Sequence, residues 1–268
     1  MPYWQDKVVL VTGGSAGLGR AIAQGFAAAG AKLVLAALDT PELSATVGQL
    51  QATGCDTLGL PADITRQDQV ETLFAQALAR HGRLDVLVNC AGRSSRGEVL
   101  STRPEDFQKL LDLNFFAQVR CTLAAAPHLI AAKGHVINIG SLAAKTASRF
   151  LGAYPVSKFP VAAYSQQLRY ELNPQGVHVL LVCPGPLARE DAGQRYDAQA
   201  SGLPEAARRP GGGVKLHGIP PAKLVAKMLR YCEQRKPELV MPARARLLFA
   251  IAQLAPSLGD WIIGRMTS

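Results

Sequence analysis

Two residues in the second half of the chain, Tyr154 and Lys158, have types and a spacing that could perform proton transfer. Side chains four residues apart share one face of a helix, so the lysine ammonium can lie near the phenol oxygen. A free tyrosine titrates near about 10, and a nearby cation would stabilise the phenolate and lower that pKa. The pair therefore suits an acid or base that exchanges a proton with a carbonyl or an alcohol.

A glycine-rich segment near the N-terminus, TGGSAGLG at 12–19, has the pattern of a phosphate-binding turn. It lies between an apolar run of strand length and an alanine-rich helical segment, so free N–H groups and the helix dipole would face an anion. Gly13 permits a tight turn, Gly17 lets a phosphate approach the backbone, and Gly19 allows the helix to pack closely on the strand. The segment predicts a dinucleotide-binding turn.

Apolar runs of strand length recur along the chain, with helical-length segments between them. Their valine, leucine and isoleucine content, without polar alternation, is typical of strands buried on both faces. Strands that alternate with amphipathic helices predict an α/β fold with three layers, a doubly wound parallel sheet of about seven strands with helices on both faces. The predicted strands are 7–12, 32–37, 56–61, 83–89, 134–140, 177–183 and 238–241.

The domain organisation follows from length and local composition. A chain of 268 residues fits one domain, 1–268, that binds the dinucleotide and carries the catalytic residues. Proline, glycine and charged residues dominate 187–216, and ligands bind beyond the carboxyl ends of parallel strands, so this segment is expected to be a substrate-binding lid or a mobile loop without function. A helix is expected at 221–235. Residues 242–268 are expected to form a C-terminal helical extension.

The net charge of +9 is concentrated towards the C-terminus, because residues 189–268 hold 13 basic and 7 acidic side chains. This bias could attract acidic substrates or anionic lipid, or it could form a solvated basic face. No aromatic-interleaved basic strip or helix-turn-helix pattern accompanies it. A nucleic-acid partner is therefore not expected.

The five cysteines are scattered, with no CxxC pair and no paired histidines at metal-ligand spacing. Neither a disulfide framework nor a metal site is expected, and a reducing, cytoplasmic setting is the default. The N-terminus enters a strand at once, unlike a secretory signal. The longest apolar stretch, 247–264, is interrupted by Gln253, Pro256 and Asp260, so no transmembrane segment is expected.

Four motifs occur together in a recognisable order: TGxxxGxG at 12–19, NxAG at 89–92, Ser141 after the fifth strand, and YxxxK at 154–158. On these motifs the chain resembles the short-chain dehydrogenase/reductase family over residues 6–241. The resemblance implies a Rossmann fold and an NADP or NAD cofactor. It also implies hydride transfer between that cofactor and a ketone or secondary alcohol.

The resemblance implies four catalytic residues, Asn114, Ser141, Tyr154 and Lys158. Tyr154 would donate the proton, and Ser141 would orient and polarise the substrate oxygen. Lys158 would hold the nicotinamide ribose. Asn114 would lie in a locally opened helix, hold a water and complete a proton relay through Lys158.

Two prolines, Pro155 and Pro160, flank the tyrosine–lysine pair. Pro155 is compatible with a helix that begins near Tyr154. Pro160 would remove an internal hydrogen bond, so a slight kink is expected there.

The resemblance also implies a cofactor pocket. Asp63 would accept a hydrogen bond from the adenine amino group, with Ile64 against the ring, although Asp63 could instead be a turn or cap residue. Cys90 replaces a family asparagine and is expected to pack. The implied cofactor contacts, which include no metal ligand, are Gly13, Ser15, Ala16, Gly17, Leu18, Gly19, Ala37, Leu38, Asp63, Ile64, Asn89, Ala91, Gly92, Tyr154, Lys158, Pro184 and Gly185.

The choice between NADP and NAD is expected at the end of the second strand. The acid that would hold the ribose hydroxyls of NAD is absent at Ala37, which favours NADP. The arginine that would hold a 2′-phosphate is also absent at Leu38, and Asp39 could turn inward, so NAD stays open. After Pro184 and Gly185, a threonine common in the family is missing and Arg189 lies nearby.

The substrate is less constrained by the motifs. Arginines near the expected lid could bind a carboxylate, phosphate or carrier-linked acyl group, or be solvated; they are Arg93, Arg96, Arg189, Arg195, Arg208 and Arg209. The C-terminal segment could shelter a hydrophobic ketone, lie on a membrane, or pack on the domain or a second subunit.

The leading hypothesis is a reductase of a hydrophobic, lipid- or steroid-like, or acyl substrate. The alternatives are a peripheral membrane lipid ketone reductase and a non-catalytic cofactor-sensing module, which would be expected to lack Tyr154 or Lys158. The resemblance further implies a homodimer or homotetramer.

Overall fold

The fold is built on seven parallel strands, within residues 2–189, 196–209, 211–214 and 217–266 that the computed structural model describes. The strands are β1 (Val8–Thr12), β2 (Lys32–Ala37), β3 (Thr57–Pro61), β4 (Val86–Asn89), β5 (His135–Ile139), β6 (His178–Pro184) and β7 (Glu238–Met241). They form one sheet in the order β3-β2-β1-β4-β5-β6-β7. Each differs from its predicted bounds by at most three residues at either end.

Helices cover both faces of this sheet. They are α1 (Gly17–Ala28), α2 (Pro41–Ala52), α3 (Gln67–His81), α4 (Pro104–Leu111), α5 (Ala117–Ala132), α6 (Tyr154–Leu172), α7 (Pro221–Glu233), α8 (Ala245–Leu254) and α9 (Pro256–Met266). The apolar core on one face comes from α1, α2 and α7, and that on the other from α3, α5 and α6. The predicted three-layer, doubly wound α/β fold is confirmed.

The strand ends position the site because all seven strands run in the same direction. The turn after β1, the NCAG segment that begins at the last residue of β4, and Ser141 after β5 therefore lie at one edge of the sheet. Thr12 joins two of these segments, since its Oγ1 accepts hydrogen bonds from Cys90 N at 3.0 Å and Ala91 N at 3.2 Å. The sequence order of the motifs thus becomes a single cluster in space.

A π-helical turn, Asp112–Phe116, connects α4 and α5, which together form a helical run over 104–132. By length and apolar composition alone this run could cross a membrane, although no transmembrane segment is predicted from the sequence. In the fold it lies against the sheet and buries one side. Its buried members are Leu110, Asn114, Ala117, Gln118, Cys121, Thr122, Ala125 and Leu129.

The C-terminal extension differs in form from a single helix, because α8 ends at Leu254 and α9 begins at Pro256. Proline has no N–H to continue the hydrogen bonds of α8, and its ring favours a new first turn. In the expected lid, Glu205–Arg208 forms a 3₁₀ turn. Residues 190–195, 210, 215 and 216 of that segment lie outside the described part of the chain.

The prolines flanking the tyrosine–lysine pair are both accommodated by α6. Pro155 lies in the first turn, where its missing N–H has no intrahelical partner, as the sequence predicts. Pro160 lies inside the helix, which continues to Leu172.

Candidate active site

Three of the four predicted catalytic residues, Ser141, Tyr154 and Lys158, line one cavity of about 670 Å³. Ser141 follows β5 and caps a 3₁₀ turn, since its Oγ accepts a hydrogen bond from Ala143 N at 3.1 Å. Tyr154 begins α6, and Lys158 lies one turn later on the same helix. The fold therefore brings a hydroxyl, a phenol and an amine to the same wall.

Lys158 is held by the end of β5. Its Nζ donates to Ile139 O at 2.9 Å, and only 4% of the residue is exposed. Burial lowers the pKa of Lys158 to about 8, because a charged amine loses solvation there. The lysine is thus fixed in position and easier to deprotonate than a surface lysine.

The pKa of Tyr154 lies above its ordinary value because burial disfavours the phenolate. A hydrogen bond with Ser141 and the charge of Arg96 oppose this rise. The expectation that Lys158 sets this pKa is therefore corrected, since the ammonium is directed to a backbone carbonyl. In this structure the neighbours that favour the phenolate are Ser141 and Arg96.

Asn114 lies behind the cavity wall in the π-helical turn and is completely buried. Its Nδ2 donates to Arg93 O at 2.9 Å and Ser157 Oγ at 2.8 Å, and its Oδ1 accepts from Arg93 N at 2.9 Å. The opened helix predicted from the resemblance is present. Gly92 makes this packing possible, because a Cβ there would lie 2.7 Å from Asn114 Oδ1.

The glycine turn has the expected close contacts. Gly13 has φ of +68°, and a Cβ there would lie 2.9 Å from Ala91 Cα. A Cβ on Gly19 would collide with the Gly13 carbonyl. Ala16 and Gly17 are exposed at the start of α1, so the N-terminal end of this helix is accessible to an anion.

Arg189 lies over this turn, which the sequence does not predict. Its Nη2 is 3.4 Å from the position that a Cβ on Gly17 would take. A guanidinium beside a helix N-terminus adds a second positive element for a phosphate. The sequence indicates Arg189 as one of several arginines that could bind a carboxylate or phosphate, but it gives no sign of the approach to Gly17, because the two residues are far apart in the chain.

The structure places the remaining predicted cofactor residues in different surroundings. Leu18, Gly92, Pro184 and Gly185 line the cavity. Asn89 is buried within the sheet, where its Nδ2 donates to Thr122 Oγ1 at 3.0 Å and Asn138 Oδ1 at 2.9 Å. Its geometry therefore supports the sheet rather than the cavity surface.

At the outer strands, Asp63 adopts the turn arrangement held open as its alternative, since its Oδ1 accepts from Thr65 N at 3.0 Å and Oγ1 at 2.7 Å. Ile64 is buried, Ala37 is half-buried and Leu38 is 61% exposed. Cys90 lines the cavity, and burial raises the pKa of its thiol to about 12, which agrees with a packing role.

Arg96 and Tyr196 form a contact between the loop after β4 and the described part of the expected lid. The Arg96 guanidinium carbon lies 3.7 Å from the Tyr196 ring centroid, and both residues line the cavity. Arg96 Nε donates to Ala207 O at 2.7 Å and Nη2 to Arg209 O at 3.3 Å. Arg96 is 7% exposed, so the alternative of a solvated arginine is wrong for this residue.

Sequence alone gives no signal for Tyr196. Arg195, another of the candidate arginines, lies outside the described residues.

The far wall of the cavity is apolar and comes from the C-terminal helices. Residues of both α8 and α9 line it, namely Leu247, Leu248, Phe249, Ile251, Ile262, Ile263 and Met266. These side chains give the cavity an apolar part beside the polar groups of Ser141, Tyr154 and Lys158.

The comparisons with known proteins agree with this geometry. A family profile described as short chain dehydrogenase matches residues 7–200. The chain is 36% identical over 194 residues to dehydrogenase/reductase SDR family member 7B of Danio rerio, which covers 69% of this chain and 62% of that protein. It is 29% identical over 265 residues to dehydrogenase/reductase SDR family protein 7-like of Drosophila melanogaster. That alignment covers 97% of this chain and 80% of the Drosophila melanogaster protein. The chain thus spans less than two thirds of the Danio rerio protein.

Two solved structures have the same architecture. A short-chain dehydrogenase from Streptomyces avermitilis superimposes with a TM-score of 0.81 at 28% identity, covering 95% of this chain and 94% of that one. A short chain dehydrogenase/reductase from Burkholderia phymatum, solved in complex with NAD, gives a TM-score of 0.82 at 24% identity, with 95% and 96% coverage. By its profile match, its relatives and its fold, this chain belongs to the short-chain dehydrogenase/reductase family of oxidoreductases.

Proposed function

We propose that the protein is an NAD(P)-dependent oxidoreductase that interconverts a ketone and a secondary alcohol. The observation that carries this proposal is the meeting of Ser141, Tyr154 and Lys158 at the polar end of one cavity. The glycine turn lies at the same edge of the sheet. A module that senses a cofactor without turnover would have no use for this arrangement.

The residues present fit a nicotinamide dinucleotide. The start of α1, with its exposed Ala16 and Gly17 and the nearby guanidinium of Arg189, suits a pyrophosphate. Lys158, Pro184 and Gly185 line the cavity and would hold the nicotinamide half. When bound, that group supplies or accepts the hydride.

The chain's own residues handle the oxygen and the proton. The Ser141 hydroxyl donates a hydrogen bond to the substrate oxygen and polarises the carbonyl. The Tyr154 hydroxyl donates a proton to that oxygen as the alcohol forms, and takes it back in the reverse direction. Lys158 holds the ribose and, with Asn114 behind it, returns a proton to Tyr154.

We further propose a hydrophobic ketone as the substrate, with NADP preferred as the reductant. The apolar wall from α8 and α9 supports the first part. The absence of an acid at Ala37 supports the second, because a carboxylate there would repel a 2′-phosphate. In this proposal residues 187–216 close over the substrate as a lid, within one catalytic domain in a cytoplasmic setting.

The test is a screen of ketones, aldehydes and alcohols of increasing apolar size. The absorbance of the reduced cofactor measures turnover of each compound. Tyr154→Phe should lower kcat by about 100-fold or more, because a general acid contributes about 10²–10⁴. Its cofactor dissociation constant, measured by titration calorimetry, should stay within about twofold of wild type. Full activity in Tyr154→Phe would show that Tyr154 is not the general acid.

A second candidate is a peripheral membrane form of the same enzyme. Its support is the outer surface of α8 and α9, where Leu254 is 88% and Trp261 58% exposed. The same helices carry positive charge, which complements anionic lipid. The arginines are Arg244 just before α8, Arg246 in α8 and Arg265 in α9.

Sedimentation with vesicles of anionic and of neutral lipid tests this form. Wild type should sediment with the anionic vesicles, and a Leu254→Glu, Trp261→Glu variant should remain in solution. Leu100→Glu, at a residue 98% exposed outside this surface, is the matched control. Equal sedimentation of all three proteins would contradict membrane contact through α8 and α9.

A further inference from the structure

A buried cluster of three side chains lies at the edge of the sheet opposite the catalytic residues. His135 begins β5, His178 begins β6, and the two are paired in register. Cys232 comes from the last turn of α7. Their exposed fractions are 1%, 3% and 0%, and one potential ligand atom of each lies within 4.8 Å of the others.

The two histidines are already oriented as metal ligands usually are. Tyr3 OH lies 2.7 Å from His135 Nε2, and His178 Nε2 lies 2.8 Å from Lys236 O. These outer contacts leave both Nδ1 atoms directed inward, 3.0 Å apart. Metal-binding histidines typically have their second ring nitrogen fixed in this way by a carbonyl or hydroxyl.

Hydrogen bonds assign the protons of the two histidines, whereas burial raises the pKa of the Cys232 thiol, so Cys232 keeps its proton until a metal ion displaces it. Since a carbonyl only accepts, His178 carries its proton on Nε2 and has a free lone pair on Nδ1. His135 donates its Nδ1 proton to that lone pair across 3.0 Å, so each imidazole carries one proton and is neutral. Within the described residues, Cys232 Sγ has no hydrogen-bond partner.

We propose that His135 Nδ1, His178 Nδ1 and Cys232 Sγ bind one thiophilic metal ion, cuprous copper. The Cys232 thiol loses its proton to solvent and forms the metal–sulfur bond. The His135 proton moves from Nδ1 to Nε2, and Tyr3 OH rotates from donor to acceptor. No oxidation or reduction takes place.

Charge favours a monovalent ion over zinc. Copper(I) with one thiolate and two neutral imidazoles is neutral, whereas Zn²⁺ would leave a positive charge in a buried site. That charge would face Lys7, Arg169 and Arg235, whose positive charges already act on these histidines. Glu233 is a compensating acid nearby, but it accepts a hydrogen bond from Trp4 Nε1 at 2.8 Å. Thiolate is also the ligand that copper(I) prefers.

The scattered histidines and cysteines give no metal spacing in the sequence, and for this reason no metal site is expected there. The strands bring His135 and His178 together across 43 residues. The expectation from spacing therefore misses the cluster because its ligands come from three elements.

The experiment titrates copper(I) against a chromogenic copper(I) chelator under reducing, anaerobic conditions, using the full chain. Trp4 serves as an internal reporter, since its ring lies 5.4 Å from His135. A Trp261→Phe background removes the other tryptophan. Wild type on this background should bind one equivalent, with quenched Trp4 fluorescence and a raised Tm.

Variants separate this site from other thiols. Cys232→Ala and His178→Gln should each abolish the quenching, and Tyr3→Phe should weaken affinity by about 10–100-fold through loss of the outer contact. Cys121→Ala, another buried cysteine, is the matched control and should bind as wild type. Because the cluster lies far from Tyr154 along the strands, Cys232→Ala should keep wild-type kcat.

Several results would overturn the proposal. Equal binding by wild type and Cys232→Ala would assign the copper to other cysteines. Absence of any quenching would leave the cluster as a hydrogen-bonded histidine pair. Tighter binding of Zn²⁺ or Co²⁺ than of copper(I), read from thiolate absorption of the cobalt form, would refute the assignment to a monovalent ion.

Discussion

At the scale of single residues, the site depends on groups whose surroundings alter their ordinary chemistry. Tyr154 and Lys158 are both shifted towards their neutral forms by burial. The sequence indicates both residues through YxxxK, but it cannot give their pKa values. Those depend on burial, on Arg96 and Ser141 for Tyr154, and on Cys90 and Cys183 for Lys158, and these residues come from other segments.

The buried Lys158 predicts a pH-dependent stability. Its pKa is lowered to about 8, so between about 8 and its unfolded value the unfolded chain holds one more proton than the folded chain. Wild-type stability should therefore rise with pH in this window. Relative to Lys158→Met, its free energy of unfolding should increase by about 2–3 kcal/mol between about pH 7 and about pH 10.

Urea unfolding at several pH values measures this difference. Lys223→Met, at an exposed lysine on α7, is the matched control. An increase of the same size relative to Lys223→Met would show that the effect does not come from the buried amine.

The residue at position 37 is expected to influence the preference between NADP and NAD. Ala37→Asp places a carboxylate at the end of β2, where it would bond ribose hydroxyls and repel a 2′-phosphate. The KM for NADP should rise by about tenfold or more, while that for NAD should fall or stay unchanged. Initial-rate kinetics with both cofactors measure the ratio, and an unchanged ratio would mean that the ribose lies elsewhere.

At the scale of elements, the opened helix and the segment after β4 act as one unit. Asn114 reaches Arg93 and Ser157 because the π-helical turn displaces it from regular helical positions. The family resemblance predicts this opening, whereas helical periodicity does not. The contact of Arg96 with Ala207 and Arg209 joins two segments more than a hundred residues apart, and no local pattern indicates it.

The lack of a side chain at Gly92 allows the segment after β4 to approach the π-helical turn closely. Gly92→Ala puts a methyl group 2.7 Å from Asn114 Oδ1, so the asparagine must move. We expect kcat to fall by about tenfold or more, and the free energy of unfolding to fall by about 1–3 kcal/mol. Gly48→Ala on α2, with no atom within 4 Å of the new Cβ, should retain activity. Steady-state kinetics and thermal melts compare the two, and equal kcat values would remove the steric role of Gly92.

At the scale of the whole molecule, the two proposed sites lie at opposite edges of the sheet. The catalytic cavity lies at the carboxyl edge, and the His135, His178 and Cys232 cluster at the amino edge. Exposed apolar side chains remain on the surface of α5, α6 and the π-helical turn. They are Phe116, Leu123, Val156, Phe159 and Tyr170.

This surface predicts self-association. We expect the protein to be a dimer or tetramer in solution, because exposed apolar groups on helices of one face of the sheet favour burial in an interface. Leu123→Arg, at a residue 67% exposed, should reduce the mass measured by light scattering. Leu100→Arg, outside this surface, should leave the measured mass unchanged. A monomeric wild type, or equal masses for both variants, would contradict the prediction.

The sequence by itself determined the elements and the residue types of the candidate site. Strand burial, glycine spacing and the YxxxK pair depend on local periodicity and on residues a few positions apart, which a sequence displays directly. Tertiary structure decided the apolar wall from α8 and α9, the Arg189 approach to Gly17, and the meeting of His135, His178 and Cys232. Each depends on strand order and helix packing, which bring distant residues together and determine how much water each group retains.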